Sequence, residues 1–90
     1  MYNFEFSTEA LKGLAKLRKS EPKAYEKASK LIEEIKIHPY TSTGKPERLK
    51  GTSVPTWSRE ITKKHRLVYQ VFEDLIMVYI LTAYGHYDDK

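Results

Sequence analysis

The spacing of apolar residues changes midway along this 90-residue chain, and that change constrains the fold more than any other feature. Up to Ile37 apolar residues recur mainly at helical spacing, whereas from Trp57 onward they fall in short runs rich in Val, Ile, Tyr and Leu. Residues 38–56, between these halves, carry three prolines and two glycines, which disfavour regular structure apart from a short stretch around Leu49. The sequence therefore predicts a helical half and a sheet-forming half joined by a loop.

In the first half, two helices are predicted to follow a short strand over residues 2–6, where aromatic and polar residues alternate. Ser7 can cap the first helix, expected over residues 8–19, by accepting a hydrogen bond from a free backbone amide. Pro22 is tolerated in the first turn of the second helix, which is expected to end near Ile37. The two helices should form a hairpin with one apolar stripe each.

The second half predicts three strands, at residues 57–62, 66–72 and 75–82, and their short connections imply an antiparallel arrangement. Pairing Ile61 with Leu67 would place one set of apolar side chains on a common face. That set is Trp57, Ile61, Leu67, Tyr69 and Val71. The expected fold class is α+β, in the order β-α-α-β-β-β, with two N-terminal helices packed on a small antiparallel sheet, and residues 1–90 fit one domain.

Positive charge is concentrated in residues 41–66, where seven lysines and arginines stand against two glutamates, a local net charge of +5. The whole chain carries only +4. A local cationic field favours a polyanionic partner, either nucleic acid or an acidic protein. Charge alone does not choose between them.

Composition argues against several other classes of protein. The chain has no cysteine and only three, dispersed histidines, so neither a disulfide framework nor a metal centre is expected, and no cofactor is implied. No apolar run approaches the roughly 20 residues that span a bilayer, and the N-terminus lacks the pattern of a secretory signal. These features predict a soluble cytoplasmic protein without a membrane partner.

Several side chains could act on a substrate, and each also has a plainer interpretation. Glu47 lies among cations and could be an ionised base, although a surface salt bridge is the favoured interpretation from sequence alone. Arg66 could bind a phosphate together with Arg59, Lys63 and Lys64, or could belong to a solvated face of the sheet.

The C-terminal aromatic segment offers a second group of candidates. His86 could donate a proton near neutral pH, and Tyr84 and Tyr87 could stack on an unpaired base, although a tail whose tyrosines cap the core is slightly preferred. Trp57 is better interpreted as a core anchor than as a stacking ring, and His65 as a structural hydrogen-bonding residue. A base, a cation, an acid and stacking rings together form a set that can cleave RNA without a metal.

Several short motifs follow one another along the chain: Gly44-Lys45-Pro46-Glu47, Leu49-Lys50, Trp57-Ser58-Arg59, Ile61-Thr62, His65-Arg66-Leu67-Val68-Tyr69 and His86-Tyr87. In their order and spacing, nearly the whole chain resembles the Txe/YoeB branch of the RelE-like toxins from bacterial toxin-antitoxin modules. The resemblance implies a ribosome-dependent endoribonuclease that cuts mRNA in the ribosomal A site, uses no metal and is restrained by a cognate antitoxin.

The resemblance also implies a role for individual residues. Glu47 corresponds to the general base, Arg66 to the cation that stabilises the transition state, His86 to the general acid and Tyr87 to a positioning ring. Lys50 and Arg59 match family positions that contact the RNA backbone or support the site. The residues assigned to RNA binding are Lys50, Arg59, Lys63, Lys64 and Tyr84. The chain departs from the family pattern at Gly85, which precedes His86, at Glu60 and in the tail of residues 88–90.

Two hypotheses from other classes remain open at this point. A non-catalytic module could bind RNA or the ribosome and block translation by occupancy, without needing His86. A toxin-fold protein could instead act mainly on DNA as a corepressor with its antitoxin. The sequence leaves the oligomeric state, monomer or homodimer, undecided.

Overall fold

A computed structural model describes residues 1–41 and 44–85, which form two helices and one five-stranded sheet. The elements in chain order are β1 (Asn3–Phe6), α1 (Thr8–Ser20), α2 (Pro22–Ile35), β2 (Glu47–Arg48), β3 (Thr56–Glu60), β4 (Arg66–Phe72) and β5 (Met77–Thr82). The strand order across the sheet is β1-β5-β4-β3-β2. No helix in these ranges is long and apolar enough to cross a membrane.

The observed order confirms the predicted α+β arrangement and adds two features to it. The pairs β2–β3, β3–β4 and β4–β5 are antiparallel. Strand β1 lies at the sheet edge and is parallel to β5, so the sheet is mixed. The short strand β2 directly precedes Leu49, around which a short regular stretch was expected, and it adds a fifth strand to the sheet by pairing with β3. Both additions come from pairings between residues distant in the chain, which local patterns do not reveal.

The helical hairpin is stabilised by local capping. The Ser7 hydroxyl accepts a hydrogen bond from the Ala10 amide at 2.9 Å, as predicted for the start of α1. Glu21 then serves both helices: its amide donates to the Leu17 carbonyl at 2.7 Å, and its carbonyl accepts from the Tyr25 amide at 3.0 Å. A single residue therefore ends α1 and begins α2, which holds the two helices close together.

Both helices pack on one face of the sheet and build the core there. Buried residues of the helices meet alternate residues of β3, β4 and β5. The cluster consists of Ala10, Leu17, Ala24, Ala28, Leu31, Ile35, Ile61, Leu67, Tyr69, Val71, Val78, Ile80 and Ala83. We call this side of the sheet the helix face and the other side the opposite face.

The register of β3 on β4 differs from the prediction by two residues. Arg59, not Ile61, lies opposite Leu67, and the Ile61 amide instead donates to the His65 carbonyl at 3.0 Å. A shift of two residues leaves every side chain on the face it had, because side chains alternate with period two. The predicted register was therefore wrong, whereas the predicted apolar face is confirmed for Ile61, Leu67, Tyr69 and Val71.

Helix α1 approaches the end of β5 so closely that only glycine fits at the contact. A Cβ atom on Gly13 would lie 2.9 Å from Cβ of Tyr84 and 3.2 Å from its backbone nitrogen. Both atoms are fixed to the main chain, so the segment after β5 would have to move away from α1. Gly13 thus sets how closely the terminal segment packs on the helix.

We expect Gly13→Ala to lower the free energy of unfolding by about 1 kcal/mol in urea denaturation. Overpacking costs about 1–3 kcal/mol, which outweighs the gain in helix propensity of about 1 kcal/mol. Ala15 is exposed on the same helix, and Ala15→Gly provides the control for propensity alone. A more stable Gly13→Ala protein would contradict the close packing.

Two phenols share one carboxylate at the end of the sheet nearest the N-terminus. Tyr2 and Tyr40 each donate to an oxygen of Glu73, Tyr40 at 3.0 Å. Burial, followed by this hydrogen bond, raises the pKa of Tyr40 to about 12, and the hydrogen bond to Glu73 raises the pKa of Tyr2. The cluster joins the N-terminus, the loop after α2 and the β4–β5 connection while both phenols stay protonated.

The raised pKa of Tyr40 predicts a loss of stability at high pH. The contribution is complete below pH 10, the usual pKa of tyrosine, and is lost as the pH rises towards 12, because the unfolded chain releases the proton first. Urea midpoints of wild type and Tyr40→Phe should therefore differ more at pH 8 than at pH 11. A difference that stays constant over this range would argue against the cluster.

Candidate active site

Strand β3 separates two sets of polar residues by simple alternation. Trp57 and Arg59 point to the helix face, whereas Ser58 and Glu60 point to the opposite face. Glu47 on β2 pairs with Ser58, so its exposed carboxylate shares the opposite face with the Ser58 hydroxyl. The pairing of β2 with β3 therefore determines where Glu47 lies.

Arg66, at the start of β4, reaches the same hydroxyl from the other side. Its Nε and Nη2 atoms donate to Oγ of Ser58 at 3.3 and 3.2 Å. Within residues 1–41 and 44–85, neither Arg66 nor Glu47 forms an ion pair. Glu47 therefore does not form the salt bridge favoured from sequence with any residue in these ranges. The positive charge of the Arg66 guanidinium is likewise not balanced by a carboxylate there.

Glu47 and Arg66 lie on the two strands that flank β3. Neighbouring strands are about 4.8 Å apart, so the backbones of β2 and β4 are separated by about 10 Å. Long side chains on these strands can contact one small group from two sides, with Ser58 between them. The pairing of the three strands thus places an acid and a cation on either side of Ser58, although Glu47 and Arg66 are 19 positions apart in the chain.

The backbone before Glu47 is held in an unusual conformation. Gly44 and Lys45 both have positive φ angles, of 90° and 51°. A Cβ atom on Gly44 would lie 2.9 Å from Cδ2 of Leu31, and the Gly44 carbonyl accepts from the Glu60 amide at 2.8 Å. Glycine is required here both for its conformation and for space, and the turn delivers Glu47 to the edge of β3.

Gly85, in the segment after β5, is hydrogen-bonded to both His65 and Arg66. The Arg66 amide donates to the Gly85 carbonyl, and the Gly85 amide donates to Nδ1 of His65, both at 2.9 Å. The predicted acid, His86, and the predicted positioning ring, Tyr87, lie outside the described residues. Their roles therefore remain predictions.

Arg59 corrects the sequence prediction of an RNA-binding residue. Its side chain is fully buried on the helix face, so it has no surface with which to contact RNA. Instead, Nη1 lies 3.6 Å from Oε1 of Glu34, Nη2 donates to the His38 carbonyl, and Nε donates to the Tyr69 hydroxyl at 3.0 Å. The guanidinium stabilises the protein from inside.

Tyr69 extends the Arg59 network to the loop after α2. Its hydroxyl accepts from Arg59 and donates to the Pro39 carbonyl at 2.7 Å. Burial raises the pKa of Tyr69, and the neighbouring Arg59 partly offsets this effect. Two consecutive carbonyls, of His38 and Pro39, are therefore bound by buried side chains where the chain leaves α2 towards Glu47.

The remaining predicted RNA-binding residues are exposed. Lys50 follows β2, Lys63 and Lys64 form the β3–β4 turn, and Tyr84 is 42% exposed. Trp57 packs against the core and its ring lies 5.1 Å from that of Tyr40, which agrees with the preferred interpretation as an anchor.

Sequence reasoning missed Ser58 and misjudged Arg59, although strand alternation carried the signal for both. Arg59 is separated by two residues from both Trp57 and Ile61, which were assigned to the core, so its side chain lies on their face. Ser58 and Arg66 lie on the other face once β3 and β4 are paired. Charge was given more weight than alternation, and for Arg59 that choice was wrong.

A family model and individual related proteins both match this chain and agree on the same family. A family model described as the YoeB-like toxin of bacterial type II toxin-antitoxin system matches residues 6–87. The chain is 40% identical over 68 residues to Toxin YoeB of Streptomyces coelicolor, covering 76% of this chain and 79% of that protein.

Solved structures show the same similarity in three dimensions. The YoeB/ParE toxin from Agrobacterium tumefaciens aligns with a TM-score of 0.87 and 29% identity, over 94% of this chain and 99% of that chain. A toxin chain of the heterotetrameric YoeB-YefM complex from Staphylococcus aureus aligns with a TM-score of 0.81 and 30% identity, over 97% and 99% of the two chains. These similarities confirm the family and the fold that the motifs predicted.

The buried position of Arg59 predicts a structural phenotype. Arg59→Lys should lower the free energy of unfolding by about 2–3 kcal/mol, because one ammonium group cannot bind three separated partners and leaves buried acceptors unpaired. Arg48→Lys, an exposed exchange on β2, should change it by less than about 0.5 kcal/mol. Equal urea midpoints for both variants would contradict the assigned role.

Proposed function

Because the chain belongs to the YoeB-like toxins of bacterial type II toxin-antitoxin systems, we propose that it is a ribosome-dependent endoribonuclease. It cleaves mRNA in the ribosomal A site, in the cytoplasm, and thereby stops translation. The observation that supports the proposal is the shared opposite face of Glu47 and Arg66: Glu47 pairs with Ser58 along the sheet, and Arg66 donates to the Ser58 hydroxyl.

In the proposed reaction Glu47 is the general base. Its carboxylate takes the proton of the ribose 2′-hydroxyl, and the 2′-oxygen attacks the adjacent phosphorus. Exposure of Glu47 and its freedom from ion pairs within the described ranges leave the carboxylate accessible to a ribose.

Arg66 stabilises the pentacovalent phosphorane, on which negative charge develops. A guanidinium can donate two parallel hydrogen bonds to phosphate oxygens, and its preorganised charge then lowers the barrier. Ser58 holds the Arg66 side chain on the opposite face without neutralising it, since a hydroxyl carries no charge. Lys50, Lys63, Lys64 and Tyr84 contact the RNA on either side of the scissile phosphate.

His86 is the general acid that protonates the leaving 5′-oxygen, and Tyr87 positions the substrate. The bond from phosphorus to the 5′-oxygen breaks, and the products are a 2′,3′-cyclic phosphate and a 5′-hydroxyl end. His86 follows Gly85 in the sequence, and the hydrogen bond from the Arg66 amide to the Gly85 carbonyl supports this assignment. The mechanism uses side chains alone.

A cognate antitoxin is the second proposed partner. The solved relative from Staphylococcus aureus is a YoeB-YefM toxin-antitoxin complex. Without the buried Arg59, residues 41–66 still carry six lysines and arginines against Glu47 and Glu60, which favours an acidic segment of such a partner. Homodimerisation remains a prediction.

The proposal is tested by cleavage of mRNA on programmed ribosomes, with new 5′ ends mapped by primer extension. Glu47→Gln and His86→Gln should each slow cleavage by about 10²–10⁴-fold, which is the contribution of a general base or acid. Glu33→Gln is the matched control, because Glu33 is an exposed acid that pairs with Lys36 on α2. Wild-type cleavage rates in both site variants would overturn the mechanism.

The same assay distinguishes a nuclease from a module that blocks translation by occupancy. Occupancy predicts ribosome binding and arrested translation with no new 5′ end, even after long incubation. The nuclease hypothesis predicts a new 5′ end within the mRNA codon that occupies the A site, and a 2′,3′-cyclic phosphate on the upstream fragment.

A further inference from the structure

His65 is buried at the start of β4, and both of its ring nitrogens have partners. Nε2 lies 2.7 Å from Oε2 of Glu21, at the junction of the helices, and Nδ1 accepts from the Gly85 amide at 2.9 Å. The ring is only 3% exposed. It therefore links the helical hairpin to the segment that follows β5.

The partner of Nδ1 determines the protonation state of the ring. A backbone amide can only donate, so Nδ1 must carry a lone pair, and the single ring proton then sits on Nε2 and points to Glu21. The arrangement requires a neutral His65 with a defined tautomer. Each nitrogen makes a different contact, so the two contacts can be removed separately.

Other contacts hold the same short segment in place. The Tyr84 ring lies 4.5 Å from the His65 ring, and Nζ of Lys16 lies 5.2 Å from the Tyr84 ring centre. Gly13 allows α1 to approach the Tyr84 backbone, and the Gly85 carbonyl accepts from the Arg66 amide. The Gly85 peptide is thus bound on both sides, by the ring of His65 and by the backbone of Arg66.

We propose that His65 is a positioning residue, which holds the Gly85 peptide against Arg66 and so determines where the next residue enters the active site. The inference rests on the proposed function, in which that next residue, His86, is the general acid. Catalysis depends steeply on such placement, since a misplacement of about 1 Å can cost about 10²-fold in rate. Gly85 itself has a φ of 76°, which permits the turn at this point.

Two substitutions separate the contacts of His65. In His65→Asn the side-chain oxygen can replace Nδ1 as acceptor for the Gly85 amide, but the contact with Glu21 is lost. In His65→Gln the longer side chain can still donate to Glu21, but the acceptor for Gly85 is lost. Both variants lose one hydrogen bond, so a purely structural role predicts similar effects of the two on stability and on activity.

The positioning role instead predicts different effects. His65→Gln should lower kcat for mRNA cleavage by about 10–100-fold with unchanged KM for programmed ribosomes, whereas His65→Asn should keep kcat within about threefold of wild type. Amide hydrogen exchange measured by NMR on the free protein should show faster exchange at Gly85, by at least about tenfold, in His65→Gln alone. Glu21→Gln retains an acceptor for Nε2 and should behave as wild type in both measurements.

Equal kcat values for the two His65 variants, or unchanged exchange at Gly85 in His65→Gln, would overturn the positioning role. Loss of cleavage in His86→Gln together with full cleavage in His65→Gln would overturn it too, while leaving the nuclease mechanism intact. Full cleavage in His86→Gln would instead overturn the proposed acid. The exchange at Gly85 would then still decide whether His65 holds the segment.

Discussion

The buried guanidinium of Arg59 is the interaction on which the rest of this structure depends. A charge without solvent is tolerated only when its donors are bound, and here Glu34, the His38 carbonyl and Tyr69 bind them. These partners belong to α2, to the chain that leaves it and to β4. Arg59 therefore fixes the end of the helical hairpin to the sheet, and the loop towards Glu47 begins from a defined point.

The two faces of the sheet differ in the residues they carry. The helix face holds the apolar core and the Arg59 network, and the opposite face holds Glu47 and Arg66, with the buried Ser58 between their strands. Alternation along β3 is enough to separate them, because neighbouring residues of a strand point in opposite directions. Reactive groups can thus occupy one side of a 90-residue protein without interrupting the packing on the other.

Much of the fold and part of the site could be predicted from local patterns. Helical spacing, capping at Ser7 and the apolar face of β3 and β4 were all confirmed. The β3–β4 register, the pairing of β2 with β3 and the parallel pairing of β1 with β5 were not predicted, because strand pairing depends on contacts between separate elements. Arg59 was misassigned because arginine is rarely buried, and its compensating partners are scattered over residues 34–69.

By itself the sequence determined the two helices and the four longer strands, the family motifs that the chain carries and the kinds of reactive group that it contains. Periodicity and motif spacing are local properties, so they can be found without knowing how the elements meet. Only the tertiary structure decided that Arg59 lies inside while Arg66 shares the opposite face with Glu47, with Gly85 joined to both His65 and Arg66. The reason is physical: the burial of a charge depends on partners brought together by folding, and a site depends on which strands become neighbours.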